Sequence, residues 1–195
     1  SLMDFMDKYS GEYEGSLKDY RLDVVESHQK GKADTSGTAK AMVQYFNRLG
    51  ISFEVKDIKM IRDSETQRFY LRVPEQDIDG HAWHRYTLTP SISGKTEPIK
   101  NFARTFKSDF LKGNNPSLKN YLFKMSGWED SATSPDGSVY VGTISLENGG
   151  IILDHNINGR KVYVRGTLDA ARFLQKKVDA GEKGKVYSMI DVLNG

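Results

Sequence analysis

Cysteine is absent from the 195 residues, which excludes disulfides, thiolate metal sites and a cysteine nucleophile. No apolar run approaches the ~20 residues that a membrane helix needs, so no membrane partner is expected. Net charge is scarce too. Twenty-eight Lys and Arg against 26 Asp and Glu leave +2, too little to argue for nucleic acid unless the cations gather on one surface. The chain opens without the basic stretch and apolar run of a secretory signal. With no thiols to oxidise, the expected compartment is the cytoplasm. There is no internal repeat, no low-complexity tract and no Gly-x-Ser-x-Gly elbow. What is present is ordinary for a globular chain: 37% hydrophobic and 28% charged residues. The length suits one domain over 1–195, with residues 1–16 as a loosely docked arm.

Asn-Gly is the strongest short-range hairpin signal, because a type I′ turn needs positive φ at both central residues. It occurs at Asn148-Gly149 and Asn158-Gly159, each between aliphatic and β-branched runs. The first turn sets Leu146 opposite Ile151 and Ile144 opposite Leu153. The second sets Leu153 opposite Val164. Side chains alternate faces along a strand, so both turns sort the apolar residues to one side and predict a three-stranded meander. A helix from Thr167, with Ala171, Leu174 and Val178 inward, and a last strand near Lys185 complete this part.

Earlier in the chain, 18–27 alternates as a strand with Tyr20, Leu22 and Val24 on one side. Ala39, Met42, Val43, Phe46 and Leu49 recur at helical spacing, with Gly50 as the C-terminal stop. Residues 51–61 read as a strand. A second hairpin is expected over 67–88, turning at Asp79-Gly80. Pro98 opens a helix carrying Ile99, Phe102, Phe106 and Phe110, and Ser117 caps a shorter one. The class that fits is α+β, a mostly antiparallel sheet of hairpins and a C-terminal meander with about four helices packed on it.

Three places could carry chemistry. Glu75, Asp77, Asp79, His81 and His84 form the densest group of ligand-type side chains. On a strand, however, positions 81 and 84 face opposite ways, so no metal is expected there. The loop at 31–38 ends in Ser36-Gly37-Thr38 at a helix start, where amides and the helix dipole suit an anion. It resembles the Thr-Gly-x-Thr phosphate loop of phosphoribosyltransferases, without the acidic pair that precedes that loop. N-capping by Thr35 or Ser36 accounts for the same residues. The third place is a surface. The outer side of the 67–88 hairpin would set Arg68, Tyr70, Arg72, Trp83 and Arg85 together, with Lys100, Arg104 and Lys107 following on a basic helix. Cations track phosphates and flat rings stack on bases. The leading expectation is therefore a small non-catalytic nucleic-acid-binding or accessory protein, with single-stranded nucleic acid as partner and no cofactor. Two alternatives stand beside it: an enzyme acting on a phosphorylated small molecule through the 31–38 loop, and a structural or protein-interaction domain.

Overall fold

The computed structural model describes residues 2–92, 96–111, 120–125, 128–133, 139–144, 149–159, 161–188 and 191–192. The expected cap at Ser117 lies outside them. The chain divides into two compact units, 1–159 and 160–195.

The first unit is α+β. Its centre is a mixed set of four strands in the order β2-β1-β3-β7, where β1 is Tyr20–His28, β2 Lys59–Ile61, β3 Ala82–Pro90 and β7 Ile151–Ile157. The order continues through β6 (Val139–Ile144), β5 (Trp128–Thr133) and β4 (Asn120–Met125). Among the described residues only β1 and β2 run parallel. Helices α1 (Leu2–Glu12), α2 (Gly37–Arg48) and α4 (Glu97–Thr105) contribute to the core beside one face of the central strands, while α3 (Ser64–Phe69) is short.

Helix α2 forms where its periodicity demands. Ala39, Met42, Val43, Phe46 and Leu49 are all buried, and the Ser36 hydroxyl accepts the Ala39 amide at its start. Its stripe meets the even positions of β1 and β3, with Phe46 5.7 Å from the Tyr86 ring. Helix α4 buries Ile99, Phe102 and Ala103, and Phe102 stands edge-on to Phe5 and Tyr9 of α1.

The expected sheet is corrected in two places, for one reason. Strand β7 pairs with β6 at Val141↔Asn156, the register expected of a two-residue turn at 148–149, although Leu146 itself lies outside the described residues. Its other edge is taken by β3, with Leu153↔Tyr86. No edge is left for a third meander strand, and Lys161–Asp179 forms helix α5 instead. Val164 is therefore not Leu153's partner, and it is 57% exposed. Strand β3 is likewise flanked on both sides, by β1 and β7. The 67–73 arm of the expected second hairpin has nowhere to pair. Asp63 caps α3 there by accepting the Thr66 amide, and Arg72 takes a positive φ of 59°. The expected 51–61 strand shrinks to β2, and residues 120–125, read as helical, form β4.

The second unit contains α5. Within it Phe173 is buried, Tyr187 meets its ring edge-on at 5.2 Å, and the Lys177 ammonium lies over both rings. No strand forms over the described residues 181–188. Among the described residues no helix is long and apolar enough to cross a membrane.

Candidate functional site

Three neighbouring strands place polar side chains in one row of an otherwise apolar face. The register sets Glu26 of β1 beside His84 of β3, and His84 beside His155 of β7. The positions two residues along are Val24, Tyr86 and Leu153, all core. The row is therefore in phase with the hydrophobic stripe, with Glu26 and His84 buried and His155 half-buried. Glu26 is 0% exposed. A buried carboxylate needs partners, and it has them. One oxygen accepts the Ser36 amide at 2.9 Å and the other pairs with the Arg62 guanidinium.

His28 ends β1 on the same face. Its ring centre lies 5.2 Å from that of His84, which lies 6.0 Å from that of His155. His84 Nε2 meets the Ser36 hydroxyl at 2.9 Å, while His28 Nε2 is buried with no hydrogen-bond partner. Burial pushes His28 and His155 down to about 4, and His84 well below its ordinary value. All three imidazoles are neutral at pH 7. Glu26, His28 and His84 each offer one ligand atom within 4.8 Å of the others, a donor set of the kind that borderline divalent metals accept. Both Glu26 oxygens are already engaged, however.

The loop after β1 returns to this row. Ser36, Gly37 and Thr38 start α2 directly beside Glu26 and His84. The Gly37 and Thr38 amides belong to the first turn of the helix and have no intrahelical acceptor. The site thus combines amide donors, a helix N-terminus and neutral imidazoles.

On the opposite face of β1, Ser27 meets His81 Nε2 at 2.8 Å, and His81 Nδ1 lies 2.8 Å from the Ile78 carbonyl. A carbonyl only accepts, so Nδ1 carries the hydrogen and the Ser27 hydroxyl donates to Nε2. His81 and His84 are thus held on opposite sides of the sheet.

Of the residues read as a basic aromatic surface, the structure gathers three. Tyr70, Trp83 and Arg85 line one cleft with Val25, Ser27, Leu71, Asp154 and Asn156. Arg85 is engaged there by both oxygens of Asp154, at 2.7 Å each, and the Trp83 indole donates to Asn158 at 2.7 Å. Tyr70 is 84% exposed. Arg68 pairs with Glu75, and both Lys100 and Arg104 with Glu97. Arg72 sits in the irregular segment after α3, and the side chain of Lys107 lies outside the described residues. No continuous sheet face carries the set, because 64–69 is helix.

No protein-family model matches the chain. Curated relatives do. The chain is 34% identical over 188 residues to the probable 4-hydroxy-tetrahydrodipicolinate reductase 1, chloroplastic, of Oryza sativa subsp. japonica, covering 96% of this chain and 39% of the relative. A second rice protein of that name, reductase 2, is 34% identical with 41% of its length covered. The Arabidopsis thaliana 4-hydroxy-tetrahydrodipicolinate reductase 2, chloroplastic, is 33% identical with 38% covered. The chain spans about two-fifths of the length of the curated relatives it matches.

These relatives are enzymes by name. They overturn the expectation of a non-catalytic nucleic-acid-binding protein, and with it the single-stranded nucleic-acid partner. They are also named for the chloroplast, which is not the cytoplasm that was expected.

The sequence motifs point to the 31–38 loop but single out neither Glu26 nor His28. A signal for both was present. In a strand whose alternate positions are Tyr20, Leu22 and Val24, Glu26 and His28 continue the apolar phase. A charged residue at a core position marks either a paired structural ion or a site.

Proposed function

We propose that this chain supplies the substrate-holding and proton-handling part of a reductase acting on a 4-hydroxy-tetrahydrodipicolinate-type substrate, in a plastid compartment like that of its relatives. The observation that carries the reading is the likeness over 96% of the chain to relatives bearing that name, together with an anion-suited helix start beside a buried histidine row. By its name such a substrate is a six-membered nitrogen ring with two carboxylates. One carboxylate fits the Gly37 and Thr38 amides at the positive end of α2. Lys32, half-buried in the preceding loop, and the exposed Lys30 add positive charge.

Reduction delivers a hydride and takes up a proton. A dinucleotide, a common hydride carrier, finds no Gly-x-Gly-x-x-Gly cradle anywhere in the chain. No step through one is assigned to these residues. What the chain can do is hold a proton. A dianion seated beside the Ser36–Thr38 turn raises the pKa of nearby imidazoles. For His28 this opposes the burial that holds it near 4, so binding brings a proton into the site.

The test uses pyridine-2,6-dicarboxylate, the aromatic dicarboxylate in the relatives' name. Calorimetry in two buffers of different ionisation enthalpy is expected to show binding with net proton uptake, tighter at pH 6 than at pH 8. Thr38→Val retains the fold and weakens binding about tenfold if its hydroxyl donates to the ligand, the scale of one hydrogen bond to a charged group. Absence of binding by the wild-type chain, or binding with no proton uptake and no loss in Thr38→Val, overturns the reading.

A further inference from the structure

The loop between β1 and α2 has little structure of its own. Over residues 29–35 its described backbone bonds amount to one turn, from the Lys32 amide to the Gln29 carbonyl at 3.0 Å. Most of its residues are exposed or half-exposed. A loop of this kind samples many conformations, and ordering each residue costs conformational entropy. Yet it must deliver Ser36–Thr38 to the histidine row in one geometry.

The order comes from a segment some thirty residues away. The Arg62 Nε–H donates to the Lys32 carbonyl at 2.8 Å, and Nη2 reaches both the Asp34 carbonyl at 3.4 Å and the Glu26 carboxylate. Nη1 donates to the Ile61 carbonyl at 3.1 Å, which fixes the guanidinium against its own backbone. The side chain is 17% exposed and its carboxylate partner is fully buried. Five residues further on, Gln67 is the only buried residue of α3. Its amide donates to the His28 carbonyl at 2.7 Å and to the Ile61 carbonyl at 3.3 Å. One segment, 61–67, therefore holds the loop at its root, its middle and its far end. The same guanidinium also fixes the carboxylate that accepts the Ser36 amide.

We propose that Arg62 and Gln67 are positioning residues that clasp the 29–36 loop and thereby set the substrate-anion site at Ser36–Thr38. This rests on the reading of that turn as the carboxylate seat. The role needs the planar fork of arginine, not only its charge. A lysine ammonium at position 62 can neutralise Glu26, but as a compact point charge it cannot span a carboxylate and two carbonyls in one plane. A residue whose task was merely to neutralise Glu26 would tolerate lysine.

Amide hydrogen exchange and pyridine-2,6-dicarboxylate titration of the whole chain, wild type against Arg62→Lys and Gln67→Leu, test the clasp. In Arg62→Lys, exchange at Lys32 to Ser36 is expected to speed up at least tenfold, while Val24 and Tyr86 in the sheet keep their protection. Dicarboxylate affinity falls at least tenfold in the same variant. In Arg62→Ala, millimolar guanidinium restores part of both effects and ammonium restores neither. Gln67→Leu, close in volume, loosens Gln29 and Lys30 more than Asp34. Loop protection in Arg62→Lys equal to wild type overturns the clasp, whatever the ligand does. If the loop loosens but the wild type binds no dicarboxylate, the clasp stands as a structural device and the substrate reading fails. If the loop loosens and binding is unchanged, the positioning role is wrong.

Discussion

Acidification from pH 6.5 to pH 4 is expected to remove most of the stability of the 1–159 unit. His28 and His155 are held near 4 by burial, and burial also holds His84 well below its ordinary value. Below 6.5 the unfolded chain binds protons at these positions and the folded chain does not. Their contribution is therefore complete above pH 6.5 and is lost progressively as pH falls through about 4. A depression of this size corresponds to roughly 3 kcal/mol per histidine at the acid end, at about 1.4 kcal/mol per pKa unit. Two or three such groups together rival the ~5–15 kcal/mol that holds a whole domain. Thermal melting at half-unit pH steps should show the midpoint dropping steeply across this window. His155→Asn should take away its share of the slope, because the amide does not titrate there. A midpoint flat between pH 6.5 and 4.5 would mean that these imidazoles are solvated and the row is not buried as described.

Gly50→Ala is expected to lower the melting midpoint by roughly 10 °C. Gly50 follows α2 with φ at +98°, a region costly for a residue bearing a Cβ. A Cβ there would stand 3.0 Å from the Gly15 Cα, 3.0 Å from the Lys18 Cβ and 3.1 Å from the Lys18 Cα. These are not loose side-chain tips. The end of α2 is stitched to this turn by Leu17 N–H to Leu49 C=O at 2.7 Å and Gly15 N–H to Arg48 C=O at 3.0 Å. Strain and overpacking together come to about 3 kcal/mol, and each kilocalorie shifts the midpoint by about 2–4 °C in a domain of this size. Gly31→Ala is the control, since its Cβ would meet nothing within 4 Å. Equal midpoints for the two variants would refute the close approach.

Local signals decided much of the fold. The stripe through Met42, Val43 and Phe46 identified α2, the Ser36 cap marked its start, and the pairing Val141↔Asn156 is the one expected between β6 and β7. Each depends on neighbours within a few residues. The errors share one origin, because sequence shows a strand's faces but not which edge is already occupied. Residues 161–165 and 67–73 alternate well enough to be strands. They are helix or loop because β3 lies between β1 and β7 and uses every edge they could have joined. The candidate site was hidden by the same limit. Ser36, Gly37 and Thr38 were visible as a loop, but nothing local says that His84 and His155 arrive beside them from residues 48 and 119 positions further on. Arg62 was harder still, since its meaning lies in carbonyls that have no side-chain signature.

The row Glu26–His84–His155 has a consequence for the order in which this protein assembles. Its members meet only through pairings that close very long loops, Glu26 to His84 across 58 residues and His84 to His155 across 71. Closing such loops loses chain entropy before any contact compensates, so topologies of this type fold slowly, toward the millisecond-to-second range. Helix α2 can form early, but the buried carboxylate and the three imidazoles cannot be desolvated until β1, β3 and β7 are in register. Until then the histidines titrate as they do in water. Refolding followed by their protonation, against helix content as a second clock, would separate a chain that has collapsed from one that has built its site.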